Sequence, residues 1–153
     1  MVDQCIEGND IRICETDEYD RLVEMFIRHD LEFSFDEPLP TDLIKCWKAE
    51  DLRGNLVAGS VLAMRGGEYV IDGIATEPQY RKRKIGAELL RLALEEAKVR
   101  GGSRVFLVAK APGFFRKQGF LSIDPDSTGQ LFDCASCPQF GVNCHPQVMK
   151  IEL

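Results

Sequence analysis

The sequence predicts a mixed α+β domain, in which a central, mostly antiparallel sheet is flanked by helices and contains one parallel strand pair. Three observations carry this reading. Between Trp47 and Ala75, apolar stretches are separated by the turn-like Arg53-Gly54-Asn55 and Arg65-Gly66-Gly67, the pattern of an antiparallel meander. From Ile85 to Arg100 the apolar period becomes helical. Val105 to Ala109 is then continuously apolar, as in a strand covered on both faces, so strand, helix and strand make one βαβ unit with a parallel pair.

Taken in order, Ile11-Arg12-Ile13-Cys14 alternates and predicts a strand, with Thr16 as N-cap of a helix. Leu22, Met25, Phe26 and His29 fall at i, i+3, i+4 and i+7, one face of that helix. Asp36-Glu37-Pro38-Leu39-Pro40 breaks it, because proline lacks an N–H donor and clashes with the preceding turn, and a second short helix is expected near Thr41. Trp47 to Glu50 pairs with Leu56 to Met64 as a hairpin, to which Glu68 to Ala75 adds a third strand. In the long helix Ile85, Leu89, Leu92, Leu90, Ala93 and Ala97 form a broad apolar stripe, and Gly101-Gly102 ends it. Pro112 to Lys117 reads as one or two helical turns closed by Gly119, with strands expected at Phe120 to Ile123 and Val148 to Leu153.

Composition narrows the class. A chain of 153 residues suits one domain, expected over 1–153, and 44% hydrophobic against 29% charged residues supports a packed core rather than a disordered or fibrous chain. With 19 Lys+Arg against 25 Asp+Glu the net charge is −6, which argues against a nucleic-acid-binding face. No apolar run approaches the ~20 residues of a membrane span, and MVDQCIEGND has neither a basic nor an apolar leader region, so a cytoplasmic protein without a membrane partner is expected. In that compartment the six cysteines are expected as reduced thiols or metal ligands, with Cys5, Cys14 and Cys46 behaving as small buried apolar residues.

Chemistry begins where the third meander strand meets the long helix. Arg81-Lys82-Arg83-Lys84 stands immediately before Ile85 and Gly86 in an otherwise acidic chain. A helix N-terminus offers unpaired N–H groups and a partial positive charge, basic side chains add charge-assisted bonds, and glycine permits close approach, so polyphosphate suits this turn. The alternative is a solvated charge run. Neither G-x-G-x-x-G nor G-x-x-x-x-G-K-S/T is present, which leaves a diphosphate cofactor held by another kind of turn.

The run from Ile74 to Leu90, IATEPQYRKRKIGAELL, resembles the acyl-CoA signature of the GNAT superfamily of N-acetyltransferases: a hydrophobic strand, x-P-x-Y-R, then Q/R-x-x-G-x-G/A. Ala111 to Phe120, APGFFRKQGF, resembles that family's second motif, an aromatic pair followed by x-x-x-G-F. The resemblance implies a GNAT-like sheet whose parallel strands, here Glu68 to Ala75 and Arg104 to Lys110, splay apart to form an acyl-CoA cleft. It implies that main-chain groups of Ile74, Ala75 and Thr76 pair with the pantetheine arm of acetyl-CoA, and that Arg81, Lys82, Arg83, Lys84, Ile85, Gly86 and Ala87 hold the pyrophosphate. A backbone N–H near Ala75 would polarise the thioester carbonyl for direct attack by an amine. The chain departs from the pattern twice. Lys84 stands where the family has its first glycine, and Phe115, expected beside the cofactor, replaces a tyrosine that donates a proton to the departing thiolate, which phenylalanine cannot do.

An attacking amine must be neutral, so a base is needed, directly or through water. Asp72 and Glu68 are the catalytic candidates, because a period of two puts both on one face of the strand before the turn; the family's usual glutamate position corresponds to Val70. Each acid could instead be merely solvated, and His29 is an alternative base more simply read as part of the apolar face of its helix.

Downstream, Cys134, Cys137, Cys144 and His145 offer three thiolates and an imidazole, a complete tetrahedral set for zinc with an unusual adjacent Cys-His half. Buried thiols or a redox pair are the alternatives. The expected function is acetyl transfer from acetyl-CoA to a primary amine of a small molecule or amino acid, with a homodimer as the candidate assembly. The competing readings are a protein N-acetyltransferase and a non-catalytic CoA-binding or thiol- or metal-sensing module.

Overall fold

A computed structural model of the protein describes residues 5–7, 10–28, 42–109, 112–123 and 147–153. The chain forms β1 (Cys5–Glu7), β2 (Ile11–Thr16), α1 (Tyr19–Arg28), β3 (Asp42–Asp51), β4 (Leu56–Arg65), β5 (Glu68–Thr76), a 3₁₀ helix (Pro78–Arg83), α2 (Ile85–Val99), β6 (Arg104–Ala109), α3 (Pro112–Lys117), β7 (Leu121–Ser122) and β8 (Gln147–Glu152). Among the described residues eight strands make one sheet, ordered β1-β2-β3-β4-β5-β6-β8-β7. Every neighbouring pair is antiparallel except β5 and β6, the parallel pair joined through α2. The expected α+β class is the one observed. No helix among the described residues is long and apolar enough to cross a membrane.

Local signals place most elements. The Thr16 hydroxyl accepts the Glu18 N–H at 3.0 Å and so caps the turn into α1. Leu22, Met25 and Phe26 are buried, as their helical spacing requires, while His29 lies outside the described residues. The helix expected near Thr41 is corrected to a strand: β3 begins at Asp42, where it pairs with β4, and from Cys46 to Asp51 it pairs with β2 on its other edge. Cross-strand pairing overrides a weak local preference.

Two layers of helix cover the sheet. On one face α2 buries Ile85, Leu89, Leu90, Ala93 and Ala97 against Leu62, Ile71, Val105 and Leu107, continuous with Phe115 and Phe120. On the other, α1 sets Leu22 and Phe26 against Cys46 and Val61. α1 seats closely at Gly59, where an added Cβ would meet the end of the Leu22 side chain.

The register of β4 and β5 contains an irregularity that matters below. Val61 pairs with Gly73 and Leu62 with Ile71, so Asp72 is the extra residue of a β-bulge. The cysteine expectation is corrected in part. Cys46 is free and buried, but Cys14 is disulfide-bonded. Pairing of β1 with β2 places Cys5 opposite Cys14, a juxtaposition that sequence spacing does not reveal.

Candidate active site

The parallel pair opens almost as soon as it forms. β5 and β6 share two paired positions, Tyr69 with Val105 and Val70 with Phe106. Beyond them β5 stays paired with β4 as far as Thr76, and β6 with β8 as far as Ala109, so the two strands part with their facing edges unpaired among the described residues. Ile74, Ala75 and Thr76 lie on the open edge of β5, where main-chain groups need a partner. This is the splay implied by the sequence motifs.

The basic turn lies at the end of that edge. Arg81, Lys82 and Arg83 belong to the 3₁₀ helix and are exposed together with Lys84. Arg81 Nε donates to the Thr76 carbonyl at 3.1 Å, tying the turn to the strand. Arg83 is paired with Asp10 and lies over the Tyr80 ring, 5.3 Å from its centroid. Lys82 and Lys84 make no ion pair among the described residues. Lys84 itself has φ 61° and ψ 16°, a left-handed conformation that no other non-glycine residue adopts among the described residues. That backbone explains why a glycine is usual here: an L-residue in this region costs roughly 1–2 kcal/mol, and Lys84 accepts the cost as the junction between the 3₁₀ helix and α2. Next to it, the space that a Cβ on Gly86 would enter is bounded at 3.5 Å by Thr76 Oγ1 and at 3.6 Å by Phe114 Cζ, ordinary contact distances.

Of the aromatic pair in the second motif, Phe115 is buried in the core, edge-on to Phe114 at 5.0 Å and to Phe120 at 5.8 Å. Phe114, half-buried, is the ring that reaches the first turn of α2.

The two carboxylates of β5 lie on the α1 face as the period of two requires, but the fold gives them different places. Glu68 sits at the closed end of the strand pair, in a two-bond pairing with Arg104 of β6. Asp72, the bulge residue, is two positions beyond Val70, where the strands have already parted. Its carboxylate accepts a 2.6 Å bond from Arg65, and both side chains are largely shielded. Tyr19 and Cys46 face the same charge. Burial, and then Asp72, push the Tyr19 phenol up to about 12 and the Cys46 thiol up to about 12.

The basic turn, the open edge and Asp72 on its face lie where the sequence pattern puts them, whereas the neighbours of Asp72, Arg65 at the end of β4 and Tyr19 at the start of α1, carry no motif. Cys134, Cys137, Cys144 and His145 lie outside the described residues, and among the described residues no group of three or more His, Cys, Asp or Glu is placed to hold a metal.

The family model described as the acetyltransferase (GNAT) family matches residues 11–120, which includes α1, the open strand pair, the basic turn and α3. The chain belongs to the GNAT acetyltransferase family. Solved structures agree in fold. A GNAT-family acetyltransferase from Staphylococcus aureus superposes with a TM-score of 0.70 at 18% identity, covering 94% of this chain and 99% of that one. An N-acetylglutamate synthase from Neisseria gonorrhoeae, complexed with coenzyme A and N-acetyl-glutamate, gives 0.66 at 18% identity over 96% of this chain and 36% of that one. A ribosomal-protein alanine N-acetyltransferase from Escherichia coli gives 0.64 at 15% identity, over 93% of each chain. At such identities the likeness is one of fold. No curated protein matches the chain.

Proposed function

We propose that this GNAT protein transfers the acetyl group of acetyl-CoA to a primary amine of a small molecule or amino acid. The observation that carries the reading is the parting of β5 and β6 directly beside an exposed basic turn and the start of α2. Bound acetyl-CoA supplies an activated thioester carbonyl. Around it, Ile74, Ala75 and Thr76 offer main-chain partners for an extended arm, with the N–H near Ala75 as the donor to the carbonyl oxygen. The N–H groups at the start of α2, with Arg81, Lys82, Arg83 and Lys84, hold the pyrophosphate, while Ile85, Gly86 and Ala87 let it approach the backbone. Phe115 acts as part of the wall, through its packing on Phe114.

The acceptor approaches from the α1 face. The amine nitrogen forms the new C–N bond, the C–S bond breaks, the nitrogen gives up a proton, and CoA leaves as the thiol once it takes one up. Asp72 is the acid placed at the opening, and its pairing with Arg65 suits it to hold a cationic amine while the proton leaves through water. Glu68, held by Arg104 at the closed end, is the weaker candidate for this role. The cysteine cluster keeps its reading from spacing alone, as a zinc site of Cys134, Cys137, Cys144 and His145 outside this chemistry; Cys137→Ala then loses stoichiometric metal. The protein works in the cytoplasm on this reading.

Calorimetric titration with acetyl-CoA, beside dephospho-acetyl-CoA and ATP, tests the proposal. Saturable binding selective for acetyl-CoA, followed by amine-dependent thiol release, is expected. Absence of binding at millimolar ligand overturns it.

A further inference from the structure

Breaking a thioester leaves negative charge on sulfur, and the rings that reach the start of α2, Phe114 and behind it Phe115, have no proton to offer it. The chain's three tyrosines are the phenols that could. Tyr69 lies at the closed end of the strand pair, its ring against Gly102. Tyr80 belongs to the 3₁₀ helix and lies beneath the Arg83 guanidinium. Tyr19 stands on the α1 face of the opening.

Strand register puts it there. Thr16 pairs with Cys46, Cys46 with Val61 and Val61 with Gly73, a row that crosses the sheet to β5 just beyond Val70, where β5 and β6 last pair. α1 begins at Tyr19, shortly after Thr16, and so starts over this row. The Tyr19 ring packs on the cluster of Leu22, Phe26, Cys46 and Val61, on which Ala75 of the open edge also packs. Inward from the basic turn that edge runs Thr76, Ala75, Ile74 and Gly73. An extended arm whose phosphates rest at the turn therefore carries its reacting end toward Tyr19.

The Tyr19 hydroxyl is uncommitted. It is half-buried, and a buried phenol usually finds a hydrogen-bond partner, yet among the described residues it has none. Ser60 Oγ is the sealed side-chain oxygen that lacks a partner among those residues, so the Tyr19 oxygen, lacking one too, is open to its surroundings. Four groups act on it through charge: Asp72 of β5, Cys46 of β3, Arg65 of β4 and Asp20 of α1. Burial, and then Asp72, keep the phenol protonated far above neutral pH, so it retains a proton to donate. Arg65 and Asp72 stay paired with each other throughout; the donor is the neutral group beside them.

Resting on the acetyl-transfer reading, we propose that the Tyr19 hydroxyl donates a hydrogen bond to the departing sulfur of acetyl-CoA. The amine nitrogen forms the C–N bond, and sulfur leaves with the electron pair of the broken C–S bond. Tyr19 stabilises the charge that sulfur then carries and keeps its own proton. The nitrogen gives its proton to water, and the thiolate takes one from water.

Tyr19→Phe keeps the ring and removes a hydroxyl that bonds nothing among the described residues, so its thermal midpoint is expected to stay unchanged. Coenzyme A itself is the first probe, because no acceptor is needed: its thiol is titrated by thiolate absorbance while bound to each protein. Bound to Tyr19→Phe, the thiol is expected to ionise at a pH roughly one unit higher than on the wild-type chain, the tenfold worth of one charge-assisted hydrogen bond. With hydroxylamine, a small nucleophile uncharged at neutral pH, kcat is expected to fall roughly tenfold or more, with KM for acetyl-CoA unchanged. A role for the ring in packing alone moves neither reading. Equal ionisation of the bound thiol, or an unchanged kcat, overturns the donor and leaves the acetyl-transfer reading standing; if hydroxylamine is not acetylated, the bound thiol alone decides. Absence of coenzyme A binding to the wild-type chain overturns both. A Tyr19→Phe chain that does not fold shows the hydroxyl to be committed to structure and overturns the donor as well.

Discussion

The two faces of the open strand pair use charge in opposite ways. At the basic turn, Arg81 to Lys84 are exposed, and those that have partners find them in a backbone carbonyl or a surface acid. At the bulge, a single guanidinium and a single carboxylate are shielded together among apolar side chains. Exposed charges are screened and contribute little to folding, so the turn is free to serve a ligand. Shielded ones are tied to the fold, because removing either takes a close counter-charge from the other in a medium that solvates charge poorly. The comparison teaches where a substitution reports on binding alone and where it reports on stability as well.

Breaking the shielded pair gives the largest expected effect. Arg65→Met should destabilise the chain by about 3–5 kcal/mol, whereas Arg65→Met/Asp72→Leu should restore most of that loss. Urea unfolding of both variants checks this; equal destabilisation would show that the pair is held by something other than mutual compensation. The same region should also weaken at alkaline pH. Both Tyr19 and Cys46 have folded values of about 12, raised from ordinary values of 10.0 and 9.0. Raised values favour the fold fully below the unfolded value and lose that contribution as pH rises toward the folded one. Thermal midpoints should therefore fall between pH 9 and 12, and Cys46→Val should flatten the lower part of that fall.

The turn should behave differently. Gly86→Ala places its Cβ at ordinary contact distance from Thr76 and Phe114, so stability should change little. Acetyl-CoA affinity should nonetheless drop, by roughly tenfold or about 1.4 kcal/mol, if phosphate approaches the backbone there. Paired calorimetry and thermal melts separate the two; loss of stability with unchanged affinity would remove Gly86 from the cofactor site. Smallest is Lys84→Gly. Relief of the left-handed strain is worth about 1 kcal/mol, reduced by the added freedom of the unfolded chain, so the thermal midpoint should rise by a few degrees at most. A fall instead would mean that the lysine side chain, not its backbone, matters for folding.

Much of this was legible before any coordinates. The meander, the βαβ unit and the basic turn follow from apolar periods and turn residues, which are local, and the open edge of β5 follows from motifs at fixed spacing. Asp72 was legible as a face position but not as a bulge, because a bulge is a mismatch between two strands and belongs to neither alone. Arg65 escaped notice for a similar reason. In the chain it is seven positions from Asp72 across a hairpin, and only the diagonal reach over Ala63 and Val70 brings the two together. The strand at Asp42 and the disulfide at Cys14 likewise depend on partners that sequence does not name.

The sequence by itself determined the class of fold, the place of the basic turn and the family, since each rests on residues a few positions apart whose preferences need no partner. The tertiary structure alone decided which acid stands at the opening, what holds it, and why a lysine occupies a glycine position. Those outcomes depend on strand register, on burial and on a left-handed backbone at one junction, properties that arise only when distant segments are fixed against each other.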